Sequence, residues 1–224
     1  MLGICVQTAT FEDSEIDFAC PGSRDRVRFS VKTDQQTEWL QKKREAEDQE
    51  EIRRLAEFKQ WKIDYQAHLK PATSFVLAAG FSTGDSFKAI GVAATEDEII
   101  PKIWSRIMDE CKSGQPVVGH GLITWMLPYL VLRSNIIGAE VPRGIYGKRQ
   151  SPEWHRSFVD TELLWRLGRE ECDCRFNTLC HAFGNEPVDE TIDFPKTLAE
   201  ESATAFEFMK AVSSYPIEWL AKMS

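Results

Sequence analysis

Residues 117–134, VVGHGLITWMLPYLVLRS, constrain the fold more than any other part of the chain. The apolar run 116–119, with β-branched Val117 and Val118, predicts a buried strand of a mixed or parallel sheet. After a break at His120 and Gly121, apolar residues recur three and four positions apart, which predicts a core-facing helix. These residues are Ile123, Met126, Leu127, Leu130 and Val131. A strand, a tight turn and a helix place side chains at the carboxyl end of the strand, where α/β sheets usually carry their sites.

Length and composition favour one globular unit. The chain has 224 residues and a net charge of −8, so we expect a single domain, 1–224, with a sizeable core. The negative charge argues against broad electrostatic capture of nucleic acid, although it leaves room for a local basic groove. The six cysteines are irregularly spaced, and no secretory signal or membrane-spanning run is recognisable. We therefore expect reduced thiols and a cytoplasmic location.

Residues 30–69 are predicted to be a helical insertion within the domain. Residues 35–66 contain no proline or glycine and are dense in charged and amide side chains, which predicts a long helix or a helix pair. A narrow apolar edge runs along it, formed by Ile52, Leu55, Phe58 (or Lys59) and Trp61. The preferred interpretation is a solvated helix packed along this edge. The alternative is that the edge contacts another subunit, giving a homo-oligomer.

The remaining elements are predicted from periodicity and turn signals. Residues 75–81 and 87–93 read as two strands of a hairpin, joined across residues 83–85. Thr95 and the acids after it predict a helix through Cys111. Residues 157–161 form the last predicted strand, followed by a helix over 162–167. A closing helix is predicted over residues 197–215.

Residues 118–130, VGHGLITWMLPYL, resemble the second motif of the DEDD-type 3′-5′ exonucleases, V-G-x-N-x-x-x-F-D-L-P-F-L. The resemblance is to the branch related to the proofreading domains of family B DNA polymerases. Residues 69–80, LKPATSFVLAAG, are similar to a second run of that branch, L-x-P-x-T-x-x-V-L-A-x-G. The resemblance implies an RNase H-like fold. We therefore expect a five-stranded mixed sheet flanked by helices, with a charged helical insertion after the first strand.

The same resemblance implies a site for two Mg²⁺ or Mn²⁺ ions held by four acids at one end of the sheet. The four positions are occupied here by Cys5, Gln7, Met126 and Ala205. Hard divalent cations need several oxygen ligands, carboxylates above all, and this set supplies one amide oxygen. We therefore predict that the site is emptied and that the chain uses no metal or other cofactor.

A nucleic-acid groove without metals must take its affinity from other side chains. The candidates are Trp125 as a wall residue and His120, Lys148, Arg149 and Arg156 as phosphate contacts. Against the negative net charge, a handful of cations predicts only weak, salt-sensitive binding of single strands. A protein partner is the alternative.

Three functions remain open. The first is a catalytically inactive exonuclease-like module that binds a nucleic-acid end or a protein partner. The second is an active Mg²⁺- or Mn²⁺-dependent exonuclease with a rearranged acid set, for which Asp160 and Glu200 are the fallback acids and Asp13 and Glu15 further members. The third is a structural or oligomerising protein whose interface is the insertion helix. Metal binding separates the second from the others, and labelled single strands separate the first from the third.

Overall fold

A five-stranded mixed sheet flanked by helices forms the centre of the computed structural model. The structure describes residues 1–10, 70–91, 94–146, 156–167 and 172–223, with isolated helical positions at 47, 49, 52, 53 and 56. The strand order is β3-β2-β1-β4-β5. The predicted α/β class and five-stranded mixed sheet are therefore confirmed.

The strands and helices have the following bounds. The strands are β1 (Leu2–Thr10), β2 (Ser74–Ser82), β3 (Phe87–Ile90), β4 (Val117–Gly119) and β5 (Phe158–Asp160). The helices are α1 (Glu96–Lys112), α2 (Leu127–Ile137), α3 (Arg143–Tyr146), α4 (Thr161–Arg166), α5 (Phe176–Phe183), α6 (Phe194–Ala199) and α7 (Ala203–Met223). A π-helical turn, Leu122–Met126, leads from β4 into α2.

β1 is the central strand, and its two neighbours run in opposite senses. It pairs parallel with β4, which pairs parallel with β5. On its other side it pairs antiparallel with β2, which forms the predicted hairpin with β3. The register shifts between Gln7 and Thr8, because Gln7 lies opposite Ala78 whereas Thr8 lies opposite Val76. A β-bulge of this kind bends a strand locally and changes the direction of its side chains.

Alternation along β1 divides the core into two layers. Leu2, Ile4 and Val6 belong to a cluster with the buried residues of α1 and α2. Cys5 lies on the opposite face, in a second cluster with residues of β2, α6 and α7. Since successive strand residues point to opposite faces, Gly3 shares the face of Cys5. The closing helix α7 thus covers one face of β1, and helices α1 and α2 cover the other.

Gly3 allows α7 to lie directly on the sheet. A Cβ atom at this position would stand 1.9 Å from the carbonyl oxygen of Ser213 and 2.9 Å from Cδ1 of Ile217. Gly80 on β2 is nearly as tight, since a Cβ there would lie 2.8 Å from Sγ of Cys5 and 3.2 Å from the carbonyl oxygen of Met209. Only residues without a side chain permit so close an approach of helix and strand.

The π-helical turn explains how the motif changes from strand to helix. Gly121 adopts a left-handed φ of 69°, a conformation that costs glycine little. The Met126 N–H donates to the Gly121 carbonyl at 2.9 Å, and the Leu127 N–H donates to Leu122 in the same five-residue spacing. Pro128 has no N–H, so its position in the first turn of α2 leaves no intrahelical donor unpaired.

A buried ion pair joins α1, α2 and the start of β2. The Arg133 Nε donates to both oxygens of Glu96 at 2.8 and 2.9 Å, and its Nη1 donates to the Pro71 carbonyl at 2.9 Å. Glu96 also accepts the backbone N–H of Val76 at 2.8 Å. Both charges are therefore hydrogen-bonded as well as paired, as buried charges must be.

The closing helix was predicted wrongly. Residues 197–215 do not form one helix, because α6 ends at Ala199 and α7 begins at Ala203. Glu201 between them has a φ of 50°, which no continuous right-handed helix accommodates. The predicted strand 87–93 ends at Ile90, and residues 92–93 lie outside the described ranges.

Most of the predicted insertion 30–69 lies outside the described residues. Its isolated described positions are helical and exposed, and Ile52 of the proposed apolar edge is 67% exposed. The long helix and its edge therefore stay predictions. Among the described helices, none combines the length and the apolar composition needed to cross a membrane.

Candidate functional site

Cys5, the first of the four positions at which the resemblance implies an acid, is buried in the core. Its side chain is buried between β2 and α7, and its Sγ donates to the Met209 carbonyl oxygen at 3.4 Å. Burial raises the pKa of the Cys5 thiol to about 12, although hydrogen bonds with the Gly80 backbone and the Gln7 side chain partly oppose this rise. The thiol is therefore neutral at pH 7 and supplies no negative charge.

The other three positions differ in how they relate to Cys5. Ala205 is fully buried in the same cluster as Cys5. Gln7 is half-buried and hydrogen-bonds to the Cys5 thiol. Met126 is buried in the cluster on the opposite layer of the core. Contacts thus bring Cys5, Gln7 and Ala205 together, and the convergence of all four positions at one site stays a prediction.

This set of side chains does not fit a pair of Mg²⁺ or Mn²⁺ ions. Such ions lie about 4 Å apart and are clamped by several carboxylate oxygens. The Cys5 thiol already has a carbonyl partner on α7, and the methyl group of Ala205 offers no ligand atom. Elsewhere in the described ranges, no group of three or more histidine, cysteine, aspartate or glutamate side chains is arranged to hold a metal ion.

Asp160, a fallback acid, has its carboxylate occupied by backbone donors. It is 2% exposed at the end of β5. Oδ1 accepts the N–H groups of Gly121 and Glu162, both at 3.0 Å, and caps the start of α4. Oδ2 accepts the N–H groups of Ile123 at 2.8 Å and Thr124 at 3.2 Å. Asp160 therefore fixes the turn after β4 to the start of α4, and a metal ion would have to displace these bonds.

The second fallback acid and one of the predicted cations have exposed side chains. Glu200 is exposed and follows the last residue of α6. Arg156 is exposed just before β5. Lys148 and Arg149 lie outside the described residues. No contact in the described part of the chain brings Glu200 or Arg156 to Cys5.

His120 does not have the environment of a phosphate-binding cation. Its Nδ1 lies 3.2 Å from the Thr161 hydroxyl, and its ring makes edge contacts with Phe176 and Trp219 at centroid distances of 5.6 and 5.8 Å. Burial lowers the pKa of His120 from its ordinary value of 6.5, and the negative charges of nearby Glu162 and Asp160 offset this only in part. The ring is therefore neutral at pH 7.

Trp125 remains a candidate wall residue. Its ring is half-buried and packs against the ring of Tyr129, with 5.3 Å between the centroids. The Tyr129 hydroxyl lies 2.9 Å from the Ser74 hydroxyl at the start of β2. These contacts hold Trp125 in place whether or not a ligand uses its exposed surface.

A polar cluster beside His120 was not predicted from the sequence. Glu162 and Arg166 form an ion pair one turn apart on α4. The Cys174 Sγ accepts the Arg166 Nε–H at 3.2 Å and lies 3.5 Å from Glu162 Oε1. The spacing of Glu162 and Arg166 was the available signal, since residues four apart on a helix face each other. The position of Cys174 had no such signal, because it is eight residues from Arg166 and does not lie on α4.

Two comparisons of the chain with known proteins returned no match. No protein-family model matches the chain, and no curated protein matches its sequence.

Proposed function

We propose that this protein is a catalytically inactive 3′-5′ exonuclease-like module of RNase H-like fold, with a binding rather than a hydrolytic role. Its partner is a nucleic-acid end or another protein. Support for the fold comes from the five-stranded mixed sheet and from the motif of residues 118–130, which forms the strand β4, a turn and the helix α2.

The contact between Cys5 and α7 is the observation that carries the proposal. Two-metal hydrolysis needs a water-accessible space lined with carboxylates, in which an attacking water and a scissile phosphate both reach the metals. At Cys5 that space is closed, because the thiol donates to the Met209 carbonyl and packs beside Ala205 and Gly80. Apolar packing and neutral hydrogen bonds stand where charges would have held the ions.

The alternative of an active nuclease with rearranged acids has less support. Asp160 uses both carboxylate oxygens to bind backbone N–H groups. Glu200 is exposed beyond α6, and no described contact links it to Asp160. Two acids so placed do not form the shared carboxylate clamp that a two-metal mechanism requires.

The proposal is tested with the purified chain and end-labelled single- and double-stranded DNA and RNA, in Mg²⁺ and in Mn²⁺. We expect no shortening from the 3′ end and no Mn²⁺ binding in a spectroscopic titration. Metal-dependent shortening that is lost in Glu200→Gln or Asp160→Asn would overturn the proposal. Glu200→Gln is the cleaner variant, since its exposed side chain can change without loss of folding. Shortening that survives both substitutions indicates a contaminating nuclease, which an independent purification removes.

Anisotropy with a labelled oligothymidylate tests the nucleic-acid branch. Because His120 is neutral at pH 7, fewer phosphate contacts remain than the sequence suggested. Binding at low salt should therefore be weak and should disappear as salt rises, by about 0.7 logarithmic units of affinity per contact and per tenfold change in salt. Absence of binding directs the search to a protein partner.

A further inference from the structure

A groove lies between residues 186–192 and the first half of α7. Its volume is about 450 Å³, within the range of small-ligand and side-chain pockets. Val188, Ile192, Phe208 and Tyr215 provide apolar lining. Glu186, Asp189 and Glu207 line the same groove with carboxylates. No lysine or arginine is among its lining residues in the described part of the chain.

The wall of this groove is fixed before any partner arrives. The Asn177 side chain on α5 binds both backbone groups of Val188, donating to its carbonyl and accepting its N–H, each at 2.8 Å. Asp189 accepts the backbone N–H of Thr191 at 2.9 Å and its hydroxyl at 2.6 Å. On the floor, Phe208 packs against Phe194 with a centroid distance of 5.4 Å. Little conformational entropy is therefore lost when a ligand binds, and this favours affinity.

The electrostatic character of the groove is negative. Hydrogen bonds from Thr191 lower the pKa of the Asp189 carboxyl, so it is ionised at pH 7. Burial raises the pKa of the Tyr215 hydroxyl, and nearby charges that include Glu218, Glu186 and Glu207 raise it further. One cation lies beside the groove, because the Lys210 Nζ is 3.9 Å from a Glu207 carboxylate oxygen. Both side chains are more than half exposed. Such a pair is weak and readily exchanged.

We propose that this groove docks a basic segment of a partner protein, with an apolar anchor side chain on the floor and lysine or arginine side chains against Glu186, Asp189 and Glu207. Charge complementarity selects this occupant, because the groove carries three carboxylates and the whole chain a net charge of −8. The same field repels the phosphates of a nucleic acid. The inference rests on the binding role proposed above and names the class of partner for it.

The test uses two fluorescein-labelled twelve-residue peptides of the same length and sequence pattern. One contains lysine, glycine and a central leucine, and in the other every lysine is replaced by glutamate. At low salt the lysine peptide should bind the full chain, whereas the glutamate peptide should not. Each result is read by fluorescence anisotropy.

Matched double variants separate the groove from general charge attraction. Glu186→Gln with Glu207→Gln removes two rim carboxylates. Asp97→Asn with Glu98→Gln removes two exposed carboxylates from the first turn of α1. Each pair changes the net charge by two, from −8 to −6. The groove pair should weaken binding at least tenfold, and the α1 pair less than twofold. Circular dichroism and thermal unfolding confirm that both proteins fold.

Three outcomes overturn the inference. They are equal weakening by the two double variants, equal binding of the two peptides, and no binding of the lysine peptide at low salt. None of these outcomes bears on the metal-binding and nuclease measurements. Failure of the docking inference is therefore distinguishable from failure of the inactive-exonuclease proposal.

Discussion

Arg133 and Glu96 form a buried ion pair in which the Arg133 Nη2 lies 2.7 Å from a Glu96 oxygen. Their side chains are 7% and 11% exposed. The pair holds α2 against the first turn of α1, and Glu96 also binds the N–H of Val76 in β2. Removing one member leaves the other charged and without a counterion in the core.

Arg133→Met should therefore destabilise the protein by roughly 3–5 kcal/mol, the usual cost of breaking a buried pair on one side. Urea unfolding followed by circular dichroism measures the change. The control is Arg175→Met, which breaks an exposed pair with Asp173 at nearly the same distance, 2.8 Å. Solvent screens that pair, so the control should unfold close to the wild-type midpoint. Similar losses of unfolding free energy in the two variants would contradict the expectation that burial makes the Arg133 pair costly to break.

Gly3→Ala should destabilise the protein by about 2 kcal/mol or more, because overpacking forces the backbone to move. The new Cβ would stand 1.9 Å from the Ser213 carbonyl oxygen, which is a backbone atom and cannot swing aside as the end of a side chain can. Thermal unfolding measures the loss. Gly144→Ala is the control, since a Cβ there meets no atom within 4 Å and the residue lies in α3. A stable Gly3→Ala protein would mean that α7 does not lie against β1 as described.

Placing an acid at position 5 should not create a metal-binding site. In Cys5→Asp, burial would raise the pKa of the carboxyl, so the folded chain would hold a proton that the unfolded chain releases above about pH 3.9. Stability should then fall as pH rises above that value. Cys5→Asn, which cannot ionise, should show no such additional fall. Urea unfolding between pH 3.5 and 8 compares them, and Mn²⁺-dependent stabilisation of Cys5→Asp would refute this expectation.

Stability should also fall on the acid side because of His120. Burial lowers the pKa of His120 in the folded chain, whereas the unfolded chain takes up its proton below about pH 6.5. Protonation therefore favours unfolding, and the His120 contribution is lost as pH falls from about 6.5 toward the folded pKa. Unfolding midpoints between pH 5 and 8 should fall less steeply in His120→Gln. An equally steep fall in His120→Gln and in the wild-type chain would contradict this expectation.

The sequence predicted the framework of the sheet because local patterns determine it. The apolar pair Val117 and Val118 forms β4, and the hairpin signal at residues 83–85 joins β2 to β3. The helix over 96–112 begins at the predicted acids, although the Thr95 side chain makes no capping hydrogen bond. In each of these cases the pattern lies within a few residues and needs no distant partner.

The site was harder to predict because its contacts are distant in sequence. Asp160 was considered a fallback acid, and only its bonds to Gly121, Ile123 and Thr124 show that it anchors a turn. His120 was considered a cation, and only its packing against Phe176 and Trp219 explains the lowered pKa. The break between α6 and α7 was missed because Ser202 and its neighbours carry no proline or glycine.

The contact between Cys5 and Met209 has a consequence for synthesis on the ribosome. These residues are 204 positions apart, so the central strand β1 leaves the ribosome long before the helix α7 that covers one of its faces. Until then the face of β1 that carries Gly3 and Cys5 lacks its covering helix, and contacts of such long range also form slowly. This face of β1 should therefore stay open to contacts with other chains until α7 has been synthesised.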